Sequence, residues 1–147
     1  MGDPLPWSEN FSVGHSGLDA EHRRMVSLIN DAIEALGAGK SAAEVVRILE
    51  ALRSTSVEHI RNENAILWEL QSGDYAGLRD NPRKPEFLKL MAAAAFEEHM
   101  DEHEKLLAEF DEVRNIPPDH LGEALKSWFL NHAIKHDSHL KAIFQAM

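Results

Sequence analysis

The chain contains no cysteine, which excludes disulfide scaffolds, thiolate nucleophiles, iron–sulfur clusters, cysteine-ligated zinc and c-type haem. Basic residues are also scarce, with 15 Lys and Arg against 25 Asp and Glu for a formal net charge of -10. That excess disfavours phosphate backbones and anionic lipid surfaces, which reward basic patches, so neither a nucleic-acid nor a membrane partner is expected. No apolar run is long enough to span a bilayer, and the opening MGDPLPWSEN lacks the basic region and apolar core of a secretory signal. The expected compartment is therefore the cytoplasm. A Ser/His/Asp pattern, a Gly-rich phosphate loop and a lysine suited to a Schiff base are missing as well. What remains is nitrogen and oxygen chemistry, with 9 histidines to carry it.

A length of 147 residues with 44% hydrophobic content predicts one domain, residues 1–147, with a core of its own. Residues 1–15 read as an arm anchored by Trp7, Phe11 and Val13. Apolar residues then recur at helical spacing in four stretches, about 17–37, 41–71, 85–115 and 119–146. Ser16 with Asp19, Ser41 with Glu44, and Asp119 are the expected helix starts. The predicted stripe passes through Val45, Ile48, Leu52, Ile66 and Leu70 on the second helix, and through Phe87, Leu90, Ala94, Leu106, Phe110 and Val113 on the third. GAGK at 37–40, SGDYAGLRDNPRKP at 72–85 and Pro117 with Pro118 interrupt the helices. With no strand signal, the fold class is all-α: an up-down-up-down four-helix bundle with an N-terminal arm.

Polar residues interrupt these apolar stripes. His22 falls on the first, His59 and Glu63 on the second, His99 and His103 of HMDEH on the third, and His132 on the fourth. One histidine on an apolar face is more often a hydrogen-bonded core residue than a ligand. Five of them with a carboxylate, converging from four helices, would leave many imidazoles to satisfy, and a metal centre does so. Imidazole plus carboxylate without sulfur suits iron, manganese or zinc, and the count exceeds one tetrahedral zinc, so two metals share the site. On the fourth helix the spacing is ambiguous. His136 is i+4 from His132 and shares its face, whereas Asp137 is i+5 and turns inward only if the helix widens by one residue.

As a set, these residues resemble the hemerythrin and bacteriohemerythrin family over nearly the whole chain. Trp7, FSVG at 11–14 and DAEH at 19–22 are similar to that family's arm and first ligand. HIRNE at 59–63, HMDEH at 99–103 and WFLNHAIKHD at 128–137 are similar to its later motifs. The resemblance implies a centre of two iron ions with a bridging oxo or hydroxo group. Its ligands would be His22, His59, His99, His103 and His132, with Glu63 and Asp137 bridging. It also implies that His59, His99 and His103 crowd one iron and leave the other short of a ligand, open to a small molecule. Asn64, Ile60, His15 and Leu140 depart from the usual family residues, as does a long gap between Glu63 and His99.

The expected function is reversible binding of dioxygen, or of another small gas or anion, for storage, delivery or sensing. His15, Leu67, Trp68 and Trp128 are candidates for the ligand pocket. A sensor would need a separate protein partner for its output. The alternative is a di-iron oxidase or peroxidase, or a protein handling nitric oxide or peroxide, with His15 as proton donor. A third reading is iron storage or purely structural metal. His120, His136 and His139 are assigned to solvent or helix ends, and Met25, Met91 and Met100 to core filling.

Overall fold

The computed structural model describes residues 3–72, 85–136 and 138–146, with side chains for all of these except 85–88, 135, 136, 138, 139 and 146. Every regular element among the described residues is helical. After a short 3-10 turn at Glu9–Phe11 come α1 (Ser16–Gly37), α2 (Ala42–Ser72), α3 (Pro85–Val113) and α4 (Pro118–Leu130). A π-helical segment, Asn131–His136, follows α4 and leads to α5 (Ser138–Ala146). The expected loop at 72–85 falls almost wholly outside the described residues, as does Asp137.

The helices bury one face each, and α1 packs on α2, α2 on α3, α3 on α4 and α4 on α1. One apolar cluster fills the end of the bundle that holds Ile29, Leu52, Phe110, Leu125 and Phe129. A second, with Leu18, Leu67, Leu70, Ala92, Leu140 and Ile143, fills the other. Each fully buried Leu, Ile or Phe contributes about 1.5–3 kcal/mol relative to an exposed one, so these two clusters carry the stability. None of the helices described is long and apolar enough to cross a membrane.

Local details correct the sequence reading in places. The N-cap of α1 is His15, whose Nδ1 accepts from the Leu18 N–H at 3.2 Å. Asp19 instead takes the Ser12 hydroxyl and the Val13 N–H, at 2.6 and 2.8 Å, and so ties the arm to α1. α4 starts at Pro118 behind Pro117, not behind Asp119, because a proline needs no N–H partner in a first turn. Ser41 does cap α2, accepting from the Glu44 N–H.

On α2 the buried line runs through Leu67 rather than Ile66, and on α3 it runs through Ala92 and Ala95 rather than Leu90 and Ala94. Leu90 is 71% exposed. The run AAAA at 92–95 has no polar member to mark the phase, so the sequence could not place the stripe there. Met100, expected in the core, is 42% exposed, whereas Met25 is fully buried.

The arm is fastened across α1 and α4. Asn30 on α1 exchanges two hydrogen bonds with the backbone of Leu5, and Arg23 lies 4.1 Å over the Trp7 ring. Trp7, Phe11 and Phe129 then form a chain of edge-to-face contacts at 5.5 and 5.2 Å. This places the Phe11 carbonyl over the middle of the bundle.

Candidate metal centre

Between the two apolar clusters the stripes turn polar, and six side chains from α1, α2, α3 and the π segment meet there. His22, His59, Glu63, His99, His103 and His132 are all buried to within 3% of full enclosure. They form two groups that share Glu63. His22, His59, Glu63 and His132 bring one ligand-type atom each to within 4.8 Å of one another, and Glu63, His99 and His103 do the same. Of the seven ligands the sequence suggested, six are therefore brought together, and the seventh, Asp137, lies outside the described residues.

The two carboxylate oxygens of Glu63 face different groups. Oε1 lies 3.2 Å from His59 Nε2, and Oε2 lies 2.9 Å from His103 Nε2. One carboxylate thus spans both groups, as a bridging ligand does. His59 stands with His22 and His132, at 3.1 and 3.2 Å between Nε2 atoms. The expectation that His59 crowds with His99 and His103 is corrected by this grouping. The reason is lateral: His59, one turn before Glu63, meets Glu21 and His22 of α1.

The hydrogen bonds on the outer nitrogens test whether the cluster suits a cation. His22 Nδ1 lies 2.7 Å from the Phe11 carbonyl, an acceptor, so Nδ1 carries the proton. His59 Nδ1 likewise donates to Glu21 Oε1 at 2.9 Å. In the neutral rings the two Nε2 lone pairs then point at each other across 3.1 Å with no hydrogen between them. Unopposed, that arrangement is repulsive in a buried site; a cation between the lone pairs converts it into coordination. His103 follows the same pattern, with Nδ1 on Asn64 Oδ1 at 3.0 Å and Nε2 turned to Glu63. The donor set fits a metal.

Sequence reasoning missed these outer partners. Glu21, the Phe11 carbonyl and Asn64 reach their imidazoles across 38, 11 and 39 residues of chain, and no local spacing announces such pairs. Phe129 was missed as well. Fully buried, it sets its ring edge-to-face against His22 at 5.7 Å and forms part of the apolar wall. Leu67 is fully buried beside Leu70 in the second apolar cluster. Trp128 is buried in the first apolar cluster, where its Nε1–H donates to the Leu106 carbonyl at 3.0 Å.

Trp68 and His15 are not among the six clustered side chains. Trp68 is 56% exposed with its ring against Phe96, because it falls off the Glu63 and Leu67 line of α2. His15 caps α1 and lies beside Phe144, on the rim of a groove shared with Glu21 and Asn62. His120 is exposed on α4.

The π segment accounts for part of the fourth helix's ambiguity. A widening by one residue does occur, over Asn131–His136, immediately after the buried Trp128 and Phe129. His132 and Ala133, both buried, lie within it. Such a bulge costs helix hydrogen-bond regularity and is frequent at functional sites.

Comparison with known proteins agrees in kind. Residues 13–144 match the family model of the hemerythrin HHE cation-binding domain. A hemerythrin-like protein of Nematostella vectensis is 28% identical over 146 residues, covering 95% of this chain and 79% of the relative. No solved structure gives a significant match.

Proposed function

The chain belongs to the hemerythrin family, and from that premise we propose that it holds two iron ions in the buried cluster and binds dioxygen reversibly. The observation that carries the reading is Glu63, one fully buried carboxylate with an oxygen turned to each of two histidine groups. His22, His59 and His132 would hold one ion and His99 and His103 the other, with Glu63 placed to contribute an oxygen to each. Asp137 completes the set as the sequence resemblance implies. Bound there, two ferrous ions would supply the electrons for reversible binding of dioxygen.

The chain's own residues make that exchange reversible. Five neutral imidazoles bring little negative charge to stabilise a strongly oxidised centre, which favours binding over bond cleavage. Phe129 keeps water from the His22 side of the cluster with a fully buried ring. The outer hydrogen bonds from His22, His59 and His103 keep each Nδ1 protonated and each Nε2 directed inward. The enzyme alternative names His15 as its proton donor; His15 caps α1 through Nδ1 and lines a groove with Glu21 and Asn62.

The packing order of the helices supports an up-down-up-down bundle. The links at 38–41 and 114–117 are too short to let a helix return to its starting end.

The test is an anaerobic optical titration of the diferrous protein with dioxygen, followed by argon sparging. A visible charge-transfer band that appears with dioxygen and leaves on sparging is expected. Irreversible oxidation, with no adduct that sparging removes, would replace binding by oxidase or peroxidase chemistry.

A further inference from the structure

The outer partners of the imidazoles differ in charge. His22 donates to a neutral carbonyl and His103 to a neutral amide, whereas His59 donates to the Glu21 carboxylate. Glu21 is adjacent in sequence to His22, yet its side chain crosses from α1 to α2 to reach the next imidazole. Its Oε1 takes the His59 N–H at 2.9 Å, and its Oε2 accepts from the Asn62 side-chain amide. Two donors three residues apart on α2 thus hold one carboxylate in place.

The same carboxylate borders the groove that Asn62, Glu69 and His15 line. Its side chain is 18% exposed, while the His59 side chain behind it is fully enclosed. The enclosed cluster therefore has an anionic contact at its edge, and that contact reaches the inside through a single imidazole.

We propose that Glu21 is a positioning residue of the metal centre: through His59 it orients one ligand and adds electron density to the ion held by His22 and His59. The proposal rests on the metal-binding reading above. A carboxylate on Nδ1–H draws the proton outward, which makes Nε2 a stronger donor and fixes the ring plane. Of the two ions, the one on the His22 and His59 side is then held more tightly and is easier to oxidise. Asn62 acts one step further out, by holding the carboxylate in the orientation His59 needs.

The test compares the full-length protein with Glu21→Gln under anaerobic conditions, with ferrous ion and a competing chelator as the probe. Gln keeps an acceptor for the His59 N–H and removes the charge, so it separates electrostatics from packing. The expected result is two irons per wild-type chain and a ~10–100-fold weaker affinity for one of them in the variant. The midpoint potential of that iron moves positive, because the oxidised ion loses an anionic neighbour. The metal-free variant keeps its helical circular dichroism, and Glu109→Gln, an exposed carboxylate elsewhere on α3, changes nothing.

Two irons in wild type with unchanged affinity and potential in Glu21→Gln would overturn the positioning role and leave the metal reading intact. No iron in wild type would overturn both. If Glu21→Gln does not fold, the exposed Asn62→Ala carries the test. It removes the brace on Oε2 without touching an imidazole, and a smaller loss in the same direction is expected; unchanged affinity and potential there would refute the proposal.

Discussion

Replacing His103 by alanine tests the two-group geometry. The imidazole is 3% exposed and lies between Asn64 and Glu63 at 3.0 and 2.9 Å. Its removal leaves one buried and one part-buried oxygen without that partner and a cavity on α3, which costs the metal-free protein about 2–4 kcal/mol. The larger signal is in the response to iron. An ion that binds the folded state alone stabilises it by about 2.7 kcal/mol when free ion is a hundred times its dissociation constant. Two ions then contribute about 5 kcal/mol, or roughly 10–20 °C of melting temperature for a chain of this size. The group of Glu63, His99 and His103 falls to two ligands in the variant, while that of His22, His59, Glu63 and His132 is untouched. Iron content should therefore drop from two to one per chain, and the iron-induced rise in melting temperature should halve. Both are read anaerobically, by chelator assay of the protein after desalting and by thermal unfolding with and without ferrous ion. A variant that keeps two irons and the full rise would remove His103 from the ligand set and with it the division into two groups.

Other outcomes follow from the same geometry. Phe129→Ala empties a fully enclosed site between Phe11 and His22, and urea unfolding of the metal-free protein should show a loss of about 3–5 kcal/mol. An unchanged midpoint would mean that the arm and α4 do not need this wall. Away from the centre, the Arg53 guanidinium donates to Asp111 and holds its carboxyl below the usual carboxylate range. The sign of the linkage is that of a depressed acid: the pair's contribution is present above the ordinary carboxylate pKa and is lost as pH falls through the lowered value. Carbon NMR of the Asp111 carboxyl should show a titration that moves up in Arg53→Met, and an unmoved titration would assign the depression elsewhere. Because this pair is exposed, little change in overall stability should accompany it.

Much of the centre is legible in the sequence. Histidines and a glutamate standing on apolar stripes, at i, i+4 on two helices, point inward whatever the neighbours are, since a helix has a fixed period. The same periodicity fails at the alanine run of α3, where Leu90 is exposed and Ala92 and Ala95 are buried. Alanine satisfies a core face and a solvent face alike, so nothing local chooses between them. The fourth helix shows a different failure. The spacing offers His136 or Asp137, and the choice turns on a one-residue widening that depends on how Trp128, Phe129 and His132 pack against three other helices.

Cap residues mislead for a related reason. Ser16 and Asp119 are good N-caps by propensity, but the arm's hold on Asp19 makes His15 the cap, and Pro118 opens α4. Propensities of about 1 kcal/mol yield to such contacts. By itself the sequence determined the residue types at the centre, the face each occupies and the exclusion of sulfur chemistry, because these depend on composition and on the helical period. Tertiary structure alone decided that His59 stands with His22 and His132, that Glu63 turns one oxygen to each group, and that Glu21 closes on His59 from another helix. Those are relations between side chains far apart along the chain, set by how rigid helices nest, and no pattern within one helix records them.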